Sequence, residues 1–108
     1  MSWVRVPADS PIPPYYTYCI YNPTAHKIYI GITQHLNNRL DQHNQQLPVK
    51  KPSFTHRFPP FWEYLYIELC GEKSTALYRE KQLKSSRGRS FLWSLLLVRL
   101  DPSADRLF

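Results

Sequence analysis

The chain is short of cysteine, glycine and acidic residues, and it has no long apolar run. Only two cysteines occur in 108 residues, Cys19 and Cys70, and they form no Cys-x-x-Cys pair. This argues against a disulfide framework and against a zinc site. Each cysteine lies in an apolar run, TYCIY or YIELC, where a buried reduced thiol is the expected state. The three glycines form no nucleotide-binding motif, so no nucleotide cofactor is implied. The longest apolar run, FLWSLLLVRL from Phe91, is broken by Ser94 and Arg99 and is too short to span a bilayer. Residues 1–14 hold Asp9 and four prolines where a secretory leader needs an apolar core. The expectation is a cytoplasmic, intracellular protein.

Eight Asp and Glu stand against fourteen Lys and Arg, for a formal net charge of +6. A basic balance in a small domain points to a polyanionic partner, nucleic acid first. The plainer reading is a solvated basic surface.

What is abundant is proline and aromatic residues, and they divide the chain. MSWVRVPADSPIPP reads as an irregular arm, residues 1–14. Tyr15–Tyr21 and Lys27–Ile32 read as two strands joined at Asn22-Pro23, a hairpin. A helix is expected from about Gln34 to Gln46, capped by Thr33, with Leu36, Leu40 and Leu47 along its apolar stripe. Leu47–Pro60, with four prolines, is a loop. Phe61–Leu69 is a third strand, and Ser74 caps a second helix through about Lys84. Ser85–Gly88 breaks it, and Ser90 caps a third from Phe91 to about Leu100. The order ββαβαα implies an α+β domain over residues 15–100: a small, mostly antiparallel three-stranded sheet flanked by helices. Residues 101–108 form a tail.

Four local patterns share one order. Tyr16-Thr17-Tyr18 precedes Tyr29-Ile30-Gly31 by ten intervening residues. Leu36-x-x-Arg39-Leu40-x-x-His43-Asn44 follows, then Ala76-Leu77-x-Arg79-Glu80-Lys81-x-Leu83-Lys84, then Arg87-Gly88-Arg89-Ser90-Phe91-Leu92. Together they resemble the GIY-YIG nuclease superfamily, and the likeness spans roughly residues 15–95. The chain is similar to small stand-alone bacterial members and to the nuclease parts of excision-repair and junction-resolving enzymes. It departs in having Tyr16-Thr17 where the first triplet has glycine and isoleucine. Ile32 follows the second triplet where excision-repair relatives often place lysine. An asparagine that some members carry near the C-terminus has no identified counterpart.

The resemblance implies hydrolysis of a DNA phosphodiester at a site dependent on Mg2+ or Mn2+. Tyr18 and Tyr29 would line that site, and one of them would orient or deprotonate water. Nearby cations (Lys27, Arg39 and the metal) would lower the phenol pKa. If Tyr18 opposes Tyr29, both rings share a face, and a one-residue slip would separate them. Gly31 would leave room for a phosphate near the backbone. Arg39 would grip the phosphate with its forked donors, and His43, on the same helix face, would bond it or move a proton. Glu80 would be the metal ligand, since magnesium needs only one or two carboxylates besides water and phosphate. Lys27, Lys50, Lys51, Arg57, Lys84, Arg87 and Arg89 would follow the backbone without reading sequence. His56 and Trp62 could stack on an unpaired base.

Each residue also has an ordinary reading. Aromatics favour strands, Arg39 could pair with Asp41 or Asp9, His43 could be structural, Glu80 could pair with Lys84, and Trp62 could be core. Three functions follow. The first is a structure-selective endonuclease, acting on single-stranded or branched DNA and targeted by substrate shape or a partner protein. The second is a catalytically weak or inactive nucleic-acid-binding module on the same fold. The third is a protein-interaction domain whose charge is incidental.

Overall fold

The structure is a computed structural model, and it describes residues 12–48 and 54–100. Three strands, β1 (Tyr15–Asn22), β2 (Lys27–Thr33) and β3 (Glu63–Gly71), form one antiparallel sheet in the order β2-β1-β3. Helices α1 (Leu36–His43), α2 (Lys73–Lys84) and α3 (Ser86–Leu100) complete the expected ββαβαα order, with a short 3-10 turn at Phe54–Arg57. None of the helices among the described residues is long and apolar enough to cross a membrane.

β1 is central, and every residue from Thr17 to Asn22 is buried. Successive side chains of a strand point to opposite faces, so this one strand feeds two cores. On one face Cys19 and Tyr21 pack with Ile28, Ile30, Leu83, Leu92 and Leu96 from β2, α2 and α3. On the other, Tyr18, Ile20 and Trp62 pack with Tyr29, Leu36, Leu40 and Tyr64. Cys19 and Cys70 are free and buried, and burial pushes the Cys19 thiol up to about 12.

The hairpin register differs from the expected one. Tyr18 lies across from Gly31, and Tyr29 lies across from Ile20. Asn22 is the reason. Its Oδ1 accepts from the N–H groups of Thr24 and Ala25, at 3.1 and 3.0 Å, and its carbonyl accepts from His26 at 2.8 Å. His26 takes a φ of 54°, which closes the turn and lets pairing run out to Asn22–Lys27. The shift is two residues, so Tyr18 and Tyr29 still share a face, as diagonal neighbours.

The helix boundaries also move. Thr33 does not cap α1. It ends β2, and its Oγ1 accepts from the His35 N–H at 3.0 Å. α1 stops at His43 because the Asn44 side chain turns away to bracket Trp62, its Nδ2 donating to the Trp62 carbonyl at 3.0 Å and its Oδ1 accepting the Trp62 N–H. The same bracket delays β3 to Glu63, since the backbone of Trp62 is already committed. Leu47 therefore leaves the stripe and is exposed, and buried His43 takes its place.

Ser74 is not the cap of α2, which starts at Lys73 behind Glu72, two residues earlier than expected. The expected break at Ser85–Gly88 is a single residue, Ser85. Its Oγ accepts the Gly88 N–H at 3.2 Å, capping α3. A Cβ on Gly88 would fall 2.4 Å from the Leu83 backbone. The glycine is what lets the first turn of α3 lie against the end of α2.

Candidate active site

The face of the sheet under α1 gathers four of the expected site residues. Tyr18 is fully buried at its centre. Arg39 Nε donates to the Tyr18 hydroxyl at 3.2 Å, and His43 Nε2 lies 2.7 Å from the same oxygen. The Tyr29 ring centroid is 6.4 Å from that of Tyr18 and 5.0 Å from that of His43. α1 achieves this because Arg39 and His43 are one helical turn apart and so share its inner face.

The hydroxyl of Tyr18 occupies the space above Gly31. A Cβ there would stand 2.8 Å from it and 3.1 Å from the Tyr29 ring. The room expected for a phosphate at Gly31 is thus filled by the phenol itself.

His43 is 2 % exposed, and both ring nitrogens are engaged, Nε2 at Tyr18 and Nδ1 at Thr55 Oγ1, 2.7 Å away. Burial, followed by the charges of Arg39 and His56, lowers its pKa to about 4, so the ring is neutral at pH 7. A neutral imidazole has one N–H. Arg39 already donates to the Tyr18 oxygen, so the phenol proton is best directed at Nε2 and the ring proton at Thr55. The result is a polarised chain: Arg39 to Tyr18 to His43 to Thr55. His43 is thus enclosed, with both ring nitrogens bonded within the protein.

Burial also corrects the expectation that cations would lower the Tyr18 pKa. Desolvation outweighs the bond and charge of Arg39, and the phenol is held well above its ordinary range. Burial likewise raises Tyr64 to about 12. The Tyr64 ring meets that of Tyr18 edge-on at 5.6 Å, and its hydroxyl donates to the Leu36 carbonyl. Burial works against the Arg39 charge, but the oxygens of Tyr18 and Tyr29 prevail, and the guanidinium is held above its usual value. Arg39 also borders an open cleft of about 350 Å³ lined by Ile32, Thr33, His35, Asn38 and Gln42. It joins the buried phenol to solvent.

Glu80 stands apart. α2 packs on the opposite face of the sheet, where Thr17 Oγ1 donates to the Ala76 carbonyl at 2.8 Å. Glu80 pairs with Lys84 at 3.6 Å. Lys84 in turn reaches the β2 edge, where it lines a cleft with Tyr29, Phe54 and Arg89. Among the described residues no group of three or more His, Cys, Asp or Glu side chains converges as a metal site. A single part-buried carboxylate, loosely paired, still suits the donor set of magnesium, which keeps most of its waters.

The remaining cations are peripheral. Lys27, Arg57 and Arg87 are exposed, and Lys50 and Lys51 lie outside the described residues. Trp62 is core: it is 2 % exposed and its Nε1 donates to the Thr55 carbonyl at 3.3 Å. It offers no face to a base. Glu68 is taken by Arg79 through two bonds, at 2.7 and 3.0 Å.

The family model described as the GIY-YIG catalytic domain matches residues 14–91. The chain belongs to the GIY-YIG family. No curated protein and no solved structure shows significant similarity to it. GIY-YIG domains are nuclease domains, their substrates are nucleic acids, and they generally depend on a divalent metal. The match covers both tyrosine strands, α1, β3 and α2. Thr55 and Tyr64, which hold the GIY-YIG cluster together here, carried no signal in the sequence.

Proposed function

We propose that the chain is a metal-dependent endonuclease that hydrolyses DNA phosphodiesters with structural rather than sequence preference. The observation that carries this reading is Arg39: a permanently charged, forked donor fixed between two phenols at the rim of an open cleft. A phosphate in that cleft would meet the guanidinium where charge grows during attack.

The two tyrosines divide the work. Tyr18 is enclosed and protonated, so it positions Arg39. Tyr29 is half-buried on the edge strand and faces the cleft beside Lys84 and Arg89. It would be the phenol that orients the attacking water. Glu80 would hold the metal, which supplies Lewis-acid stabilisation to the phosphoryl and leaving oxygens.

The enclosure of Tyr18 and His43 also favours a second reading, a binding module with weak or no turnover. A cleavage assay separates the two. Single-stranded, duplex, flapped and branched DNA would be incubated with magnesium, manganese or chelator. The nuclease reading expects metal-dependent cutting, reduced about 10²–10³-fold in Arg39→Ala and abolished in Glu80→Ala. Salt-sensitive binding without cutting on any substrate would establish the binding module instead.

A further inference from the structure

The edge of β2 carries a cleft that neither the expected phosphate contacts nor the metal site uses in full. It has a volume of about 220 Å³ and is lined by Ile28, Tyr29, Ile30, Phe54, Lys84 and Arg89. Its aromatic wall is ordered. The rings of Tyr29 and Phe54 lie within 15° of parallel, with centroids 6.5 Å apart. Phe54 is 40 % exposed, yet it is propped from behind. Phe58 meets it edge-on at 5.1 Å, and Phe58 in turn meets buried Trp62 at 6.1 Å. A flat apolar face is thus held toward solvent by a column of rings rooted in the core.

The cationic wall is ordered as well. Arg89 Nε donates to the Lys84 carbonyl at 3.1 Å, and among the described residues its two terminal nitrogens have no hydrogen-bond partner. Lys84 is held by Glu80. The cleft therefore pairs flat aromatic faces with two positive charges. Those are the two recognition elements of a single-stranded nucleotide: a π-face for the base and cations for the phosphate. A base within a duplex has no free face to offer this wall.

We propose that this cleft is a site for one unpaired nucleotide, its base against Phe54 and Tyr29 and its phosphate at Lys84 and Arg89. The inference rests on the nucleic-acid reading above and sharpens it. Tyr29 belongs to both the cleft and the Tyr18 cluster, so the unpaired base lies next to the phosphate presented to Arg39. The substrate preference is then for single-stranded or flapped DNA, set by base stacking and not by sequence.

The test measures binding in chelator, so it does not depend on cleavage. Fluorescence anisotropy would compare three probes of equal length: an oligodeoxythymidine, a fully abasic strand with the same phosphates, and a duplex. Wild type is expected to bind the thymidine strand tightest. Phe54→Ala should weaken that binding about tenfold and leave the abasic strand unchanged. Phe54→Tyr should keep the affinity, whereas Phe54→Leu, which retains the apolar packing, should lose most of it. Arg89→Ala should weaken both single strands and lower the salt slope by about one. Equal loss on the thymidine and abasic strands in Phe54→Ala, or no loss on either, would overturn the stacking site while the nucleic-acid reading stands. Absence of salt-sensitive binding to any probe by wild type would overturn both.

Discussion

Gly31 faces Tyr18 across the central pair of strands, and the side chain it lacks is the space the Tyr18 hydroxyl fills. The glycine of the second triplet thus shapes the site by absence. It lets a phenol lie flat over β2 and meet Arg39 and His43. Gly31→Ala should push that ring outward. We expect overpacking to cost about 1–3 kcal/mol of stability, and cleavage to fall by more than the unfolded fraction explains. Urea unfolding and cleavage rates on one sample would separate the two effects.

The His43 pKa makes stability depend on pH. Its ring is neutral when folded and titrates near 4, against an ordinary 6.5. Between those values the unfolded chain binds the extra proton. The contribution is therefore full above about pH 6.5, falls as pH drops toward 4, and is exhausted below it. The span corresponds to about 3 kcal/mol. Unfolding free energies at a series of pH values from 7 to 4 would show the slope in wild type. His43→Gln should flatten it.

Thr55 fixes the ring that Tyr18 touches. Thr55→Val removes the hydroxyl and leaves a buried ring nitrogen without its partner, which should cost about 1–3 kcal/mol. For a domain of this size that is a fall in Tm of roughly 4–8 °C per kcal/mol. Thr55→Ser should recover most of it. Nitrogen chemical shifts of His43 would report the Nδ1–H form in wild type and a mixture in Thr55→Val.

Gly88 is a contact between backbones. A methyl group there meets the chain of Leu83 and Gln82, which cannot yield as a side chain can. Gly88→Ala should destabilise by about 3 kcal/mol, the upper end of ordinary overpacking. Ser85→Ala, which removes the cap of α3 and the hydroxyl's bond to the Gln82 carbonyl, should cost about 1 kcal/mol. Thermal unfolding of both variants would rank them.

The element order was legible because runs of aromatic and β-branched residues alternate with proline-rich turns and leucine-spaced helices. The register was not, because one side chain, that of Asn22, decides how far the hairpin pairs, and a strand pattern carries no record of it. The start of α3 was misread for a similar reason. Ser-Ser-Arg-Gly, residues 85–88, looks like a breaker until Leu83 is seen beneath Gly88. In the candidate site, Tyr18, Tyr29, Arg39 and His43 were singled out by the resemblance to the GIY-YIG motifs, and their convergence follows from one hairpin and one helix face. Thr55 was invisible: a lone threonine in a proline-rich loop has no period to mark it. The protonation states were invisible too, since charge proximity is readable from spacing but desolvation is not.

β1 has no face turned to water. Odd-numbered side chains from Thr17 onward serve the core under α2 and α3, and even-numbered ones build the phenol cluster. A displacement of Leu92 or Leu96 therefore reaches Tyr18 through a single thickness of backbone. In such an arrangement a variant selected for a better-filled interior is also a variant of the phenol cluster, and the two faces cannot drift independently. Evolution of this domain has freer ground at exposed positions off the shared strand, such as Lys27 on the β2 edge, Phe54 and Arg89.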